Sequence, residues 1–253
     1  MEVKKKNMLF IAYDCQNKAV WNALKIHIKL IQSLGYTITF IVDERYKEIV
    51  KLDYPHTTIY TYKSLLNLMI KLKDLPERKI YSPATFSTIA TLLVKIFKLK
   101  EVYYWVQGVI PEESFLRHKS KVRYILLSLI EYLSLALSTK QIFVSDEMQK
   151  YLEKKYKKQY SQSIVVPCIS EFKDDKSDKE KDSFVYIGGM SAWQRVDKML
   201  VIFDEIVKIN SNAKLYIATL EKQQAEEYIE LYLSKENHER VEVLSLNNRE
   251  EIQ

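Results

Sequence analysis

The chain has 253 residues, 47% of them hydrophobic and 28% charged, with four glycines and 18 tyrosines. That length holds one large core or two ordinary ones, and the mixture excludes both a disordered chain and a membrane-spanning bundle. The formal charge of +6 is unevenly spread: residues 1–168 carry 27 Lys and Arg against 15 Asp and Glu, +12, and residues 169–253 carry 12 against 18, −6. A basic first part calls for an anionic partner, whether nucleic acid, an acidic membrane surface or a phosphorylated substrate. Cys15 and Cys168 stand far apart and outside any CxxC pattern, which argues against a disulfide framework or a zinc site and for a reducing cytoplasm.

Met8 to Tyr13, behind a lysine tail, is an apolar run of strand length, too short for a signal-peptide core and ended by Asp14. Ala19 to Leu34 has helical spacing and stops at Gly35; Thr37 to Val42 is a second strand. Further strands are expected at Ile59–Tyr62, Lys79–Ser82, Val102–Val106 and Gln141–Val144, with helices such as Ser64–Leu72 and Ser87–Phe97 between them. Such alternation predicts a parallel sheet covered by helices. The segment Arg117 to Ser138 begins with cations and continues apolar. Its apolar part is interrupted by Glu131 and too short to span a bilayer, so Ile125 to Leu137 is expected to be a buried helix.

Ile164–Pro167 is a last short strand before EFKDDKSDKEKD, a charged stretch that cannot bury a core and reads as a linker. Beyond it come a strand at Phe184–Ile187, a helix at Val196–Ile209, a strand at Lys214–Thr219, a helix at Gln223–Lys235 and a strand at Val241–Leu244. The expected division is a Rossmann-like domain over 1–168, a linker over 169–183 and a partial domain over 184–253. The fold class is α/β, with two Rossmann-like domains and the second incomplete.

Three constellations bear on chemistry. In YIGGMSAWQRVD, Gly188 and Gly189 end a strand just before a helix, where backbone N–H groups can hold phosphate; Arg195 could add a charged fork. The alternative is a plain tight loop. In VYYWVQGVIPEES and IFVSDEMQKYL, Gln107, Gly108, Glu112, Glu113 and Ser145 fall beyond the carboxyl ends of strands, where open α/β sheets bind ligands. Equally, Gly108 can make a turn while Pro111 starts a helix with the glutamates at its positive end. Arg117, Lys119, Lys121 and Arg123 form a cluster suited to anionic lipid. His27, His56, His118 and His238 show no metal-ligand spacing, and Asp174, Asp175 and Asp178 read as solvated linker residues, so no metal is expected. The tyrosines come without any nucleic-acid module signature, so no nucleic-acid partner is expected.

The Gln107–Glu113, Ser145–Met148 and Tyr186–Asp197 segments, with Glu131 on the helix between, resemble family-4 glycosyltransferases of the two-Rossmann-domain (GT-B) type. In that resemblance Gly189 stands where the family has an Arg that grips the donor diphosphate, Gln194 stands where it has a Lys, and many members have His or Arg at Gln107. The family's paired glutamates for ribose and donor sugar would lie beyond Gln253, so the second domain is expected to be truncated. The resemblance implies a hexosyltransferase-like enzyme that moves a sugar from a nucleotide donor to a lipid-linked or polysaccharide acceptor in cell-surface or capsular polysaccharide synthesis. It needs no cofactor, the nucleotide sugar being a substrate. The expected place is cytoplasmic, peripheral on the inner face of the cell membrane. Donor phosphates would meet Gly188, Gly189, Gln194 and Arg195, and no catalytic residue is singled out. The alternative is a non-catalytic accessory protein that binds membrane or a partner chain supplying the missing part.

Overall fold

The computed structural model describes residues 6–12, 15–16, 18–98, 100–168 and 179–245. The lysine tail through Lys5, Tyr13, Asp14, the linker aspartates Asp174, Asp175 and Asp178, and residues 246–253 lie outside the described residues. Contacts divide the chain into two compact units, Met1–Ser170 and Glu171–Gln253.

The first unit runs β1 (Lys6–Ala12), α1 (Lys18–Ser33), β2 (Tyr36–Asp43), α2 (Lys47–Asp53), β3 (Ile59–Tyr62), α3 (Leu65–Asp74), β4 (Lys79–Ser82), α4 (Thr85–Lys98) and β5 (Glu101–Val106). It continues with α5 (Ile110–His118), α6 (Lys121–Leu137), β6 (Lys140–Phe143), α7 (Asp146–Tyr156) and β7 (Ile164–Val165). The seven strands pair in parallel in the order β3-β2-β1-β4-β5-β6-β7. Met8 to Ala12 of β1 are all buried, as a central strand covered on both faces requires. Phe10, Phe40 and Trp105 pack with Trp21, Leu24 and Ile28 of α1, whereas Leu9, Ile11 and Ile41 pack with Leu68 and Leu72 of α3 and Ala90 of α4.

Local signals fix the helix ends. Gly35 takes φ 81 as α1 ends, a conformation that costs a residue without Cβ nothing. Ser64, Ser120 and Ser145 cap α3, α6 and α7 through their hydroxyls. The short helix α2 went unassigned in the sequence, because seven residues with one buried position, Val50, carry too little periodicity.

One expectation is corrected. The 125–137 segment is helical, but it buries only part of itself. Leu127, Glu131, Ser134 and Leu135 face inward, while Ile125, Leu126, Leu129, Tyr132 and Leu137 remain exposed. Helices α4 and α5 cover its inner side.

The second unit runs β8 (Ser183–Ile187), a 3-10 turn (Ala192–Gln194), α8 (Val196–Ile209), β9 (Lys214–Ala218), α9 (Lys222–Tyr232) and β10 (Val241–Leu244). Its three strands are parallel in the order β10-β9-β8. Leu200 and Phe203 of α8 and Ala225 and Ile229 of α9 cover Leu215 and Ile217 on one face, while Val185 and Ile187 of β8 stay exposed.

Candidate functional site

The glycine turn of the second unit is built around two side chains that the sequence did not suggest. The Tyr186 hydroxyl donates to the Gly189 carbonyl at 2.5 Å, and a Cβ on Gly188 would come within 2.7 Å of the Tyr186 hydroxyl oxygen. Gly188 N–H still donates to Ala218 at 3.1 Å, so the turn leaves directly from the β8–β9 ladder. Glu221, just past β9, reaches across to accept the backbone N–H of buried Met190, and a Cβ on Gly189 would meet its carboxylate at 3.2 Å. The turn therefore holds an anion of its own, the Glu221 carboxylate.

Arg195 lies where its sequence position puts it, between the 3-10 turn and α8, in the left-handed region at φ 55. Its guanidinium is forked onto Asp197 in the first turn of its own helix, at 3.0 and 2.8 Å, and this pair holds the Asp197 carboxyl below the usual carboxylate range. Gln194 is exposed on the 3-10 turn. Gly188, Gly189, Gln194 and Arg195 thus share one strand-to-helix connection, but in this arrangement the cation serves the helix end.

In the first unit, the five candidates divide. The Gln107 amide donates to the Pro83 carbonyl at 2.6 Å and ties the end of β5 to the loop after β4. The Ser145 hydroxyl accepts from Met148 N–H at 3.1 Å as the cap of α7. Gly108 lies beside Glu113, whose carboxylate a Cβ there would displace at 2.5 Å. Pro111 stands in the first turn of α5 with Glu112 and Glu113, favourable residues for a helix N-terminus.

Glu112 alone enters a larger polar cluster. Lys155 of α7 lies 2.8 Å from both Glu112 and Glu131. Tyr151 donates to Glu112 at 2.7 Å, and Tyr156 donates to Glu131 at 2.6 Å. Burial pushes Glu131 up despite Lys155 and Tyr156. For Glu112 burial acts in the same sense, but the Lys155 and Tyr151 hydrogen bonds outweigh it and hold the carboxyl low. Lys155 and the tyrosines escaped sequence reasoning, because the three charges sit on three helices and no spacing links them. Two carboxylates and one ammonium interlock α5, α6 and α7, with Lys155 and Tyr156 both on Glu131 Oε2 and Oε1 buried without a hydrogen-bond partner.

Arg117, Lys119, Lys121 and Arg123 gather at the α5–α6 corner, all exposed. Lys119 turns it in the left-handed region at φ 52, and Arg123 donates to Ser114 at 2.7 Å. Among the described residues no group of His, Cys, Asp and Glu has the makings of a metal site, and no helix is long and apolar enough to cross a membrane.

No protein-family model matches the chain, and no curated protein matches it in sequence. Solved structures do. Sucrose-phosphate synthase from Thermosynechococcus elongatus superposes with a TM-score of 0.69 at 10% identity, over 98% of this chain and 72% of that one. Anabaena HepE in complex with UDP and glucose gives 0.63 at 11% identity, over 96% and 70%. A Listeria monocytogenes protein described as a UDP-N-acetylglucosamine 2-epimerase gives 0.56 at 11%, over 98% and 71%. At such identities the likeness speaks for architecture, and on that ground the chain has the GT-B-type fold of two Rossmann-like α/β units.

Proposed function

We propose that the chain acts in sugar transfer from a nucleotide-sugar donor to a lipid-linked or polysaccharide acceptor, as a relative of the family-4 glycosyltransferases, at the inner face of the cell membrane. The observation that carries the reading is the Gly188–Gly189 connection from β8 into α8 within a GT-B-type fold, a strand-to-helix turn of the kind that receives phosphate. The named neighbours add support, since UDP or a UDP-sugar appears in the descriptions of HepE and of the Listeria protein. Neither description names a transferase, so the decisive measurement is transfer itself, assayed as acceptor-dependent release of UDP from UDP-sugars.

Glu221 sets the terms of donor binding. A carboxylate on Met190 N–H competes with a diphosphate for the same turn, so the donor must displace it. Glu221→Gln is expected to bind UDP-glucose or UDP-N-acetylglucosamine about tenfold tighter than wild type, equivalent to about 1.4 kcal/mol, in isothermal titration. Weaker or unchanged binding would show that the diphosphate lies elsewhere. An Arg195→Ala variant that binds as wild type takes Arg195 out of the site.

The tied-off Arg195 and the resident carboxylate also favour a second reading, a non-catalytic accessory protein with a membrane or protein partner. Absence of nucleotide binding by both wild type and Glu221→Gln would favour it.

A further inference from the structure

Helix α6 is apolar on its outer side as well as on its inner one. Amphipathic helices normally turn the apolar stripe inward and the polar face to water. Here the inward face carries Glu131 and Ser134 along with Leu127 and Leu135. Glu131 is held by Lys155 and Tyr156, and Ser134 donates to the Ile130 carbonyl at 2.9 Å. The outward face carries Val122 at 79% exposure, Ile125 at 67%, Leu126 at 57% and Leu129 at 53%. Their spacing of three, one and three residues keeps them on one stripe about 10 Å long.

Along the chain that carries the stripe, the exposed charges have one sign. Between Ser114 and Lys140 the only acid is Glu131, which is buried and paired, whereas Arg117, Lys119, Lys121, Arg123 and Lys140 are all exposed. A second copy of the chain docking on this face through a twofold axis would bring cation against cation. An anionic lipid surface neutralises them and receives the leucines. The helix cannot cross a bilayer, having 17 residues and an ionic inner face packed on the protein, so it would lie in the plane of the interface.

We infer that the outer face of α6 inserts into the headgroup boundary of an anionic bilayer, with Val122, Ile125, Leu126 and Leu129 among the acyl chains and the Arg117–Arg123 corner on the phosphates. This deepens the membrane part of the proposed function by adding an apolar contact to an electrostatic one, and salt separates the two. In about 1 M salt the screening length falls to about 3 Å, which removes the cation contribution and leaves the apolar one.

The test is flotation of the full chain with phosphatidylcholine vesicles, with and without phosphatidylglycerol, at low and at about 1 M salt. Wild type is expected on the anionic vesicles and still partly retained in high salt. Ile125→Glu combined with Leu129→Glu should lower partition at least tenfold at both salt concentrations. Lys119→Glu combined with Lys121→Glu should lower it about tenfold in low salt and less than about twofold in high salt. All four positions are solvent-exposed, so unchanged thermal melting shows that the variants fold. Complete release of wild type in high salt overturns the inference while leaving electrostatic docking standing; no binding to anionic vesicles overturns both. A wild-type dimer that the Ile125 and Leu129 changes dissociate would assign the face to a second copy and overturn it as well.

Discussion

Replacing Lys155 with alanine is expected to lower the unfolding free energy by about 3 to 5 kcal/mol, the usual cost of stranding a buried charge. The lysine is the single ammonium between Glu112 and Glu131, at 2.8 Å from each, and its side chain is only 12% exposed. Its ammonium also lies over the Tyr156 ring at 4.9 Å. Without it Glu131, itself 1% exposed, keeps one hydrogen-bond donor, Tyr156, and gains an unscreened neighbour in Glu112. The carboxyl must then take up a proton, so the deficit should shrink as the pH is lowered toward the ordinary carboxylate range. Urea unfolding at neutral and mildly acid pH measures both effects. A double variant, Lys155→Met with Glu131→Leu, should recover most of the loss, because an apolar pair avoids the desolvation that the ions suffer. A loss below about 1 kcal/mol for Lys155→Ala would mean that water reaches the triad.

The second large effect is acid sensitivity at His27. The ring is 5% exposed, tilted against Trp105 with centroids 4.4 Å apart, with Nδ1 against the Tyr81 hydroxyl at 2.5 Å. Burial lowers its pKa from 6.5 to about 4. The unfolded chain therefore takes up this proton first as the pH falls. The contribution is present in full above about pH 6.5, declines through the window and is gone below about pH 4. A shift of this size corresponds to about 3 kcal/mol across the window. Stability curves of wild type and His27→Gln, normalised at pH 7.5, should diverge between pH 6.5 and 4, with the variant flatter. Parallel curves would show that the imidazole is charged in the folded protein.

Much of the architecture was legible because it is written in local patterns. The ranges of β3, β4, α8 and β10 follow from short apolar runs and helical spacing read off the chain, and Gly35 marks the end of α1. What the sequence hid depends on distant partners. Hydropathy alone makes α6 a core helix. Glu131 is buried against Lys155, 24 residues beyond it, a partner that hydropathy does not show. At the glycine turn the residue types were visible, but two competitions were not. Asp197, two residues from Arg195, takes the guanidinium fork, and Glu221, 31 residues from Met190, takes the backbone N–H. Gln107 and Ser145 look like ligand groups by position, yet one is bonded to the Pro83 carbonyl and the other caps a helix, the ordinary fates of polar residues at strand ends.

The place of β1 in the sheet has a consequence for synthesis. Its two neighbours are β2, which follows almost at once, and β4, with Met8 opposite Lys79. Ribosomes add about 5 to 20 residues per second, so β1 waits roughly 4 to 14 s for its second partner. Through that interval the nascent chain can assemble β1, β2 and β3 but not close them. The open edge is the strand whose Leu9, Phe10 and Ile11 become fully buried in the finished unit. Aggregation and chaperone capture during translation should therefore centre on β1, and any codon change that slows the stretch between β2 and β4 should lower soluble yield without altering a single residue.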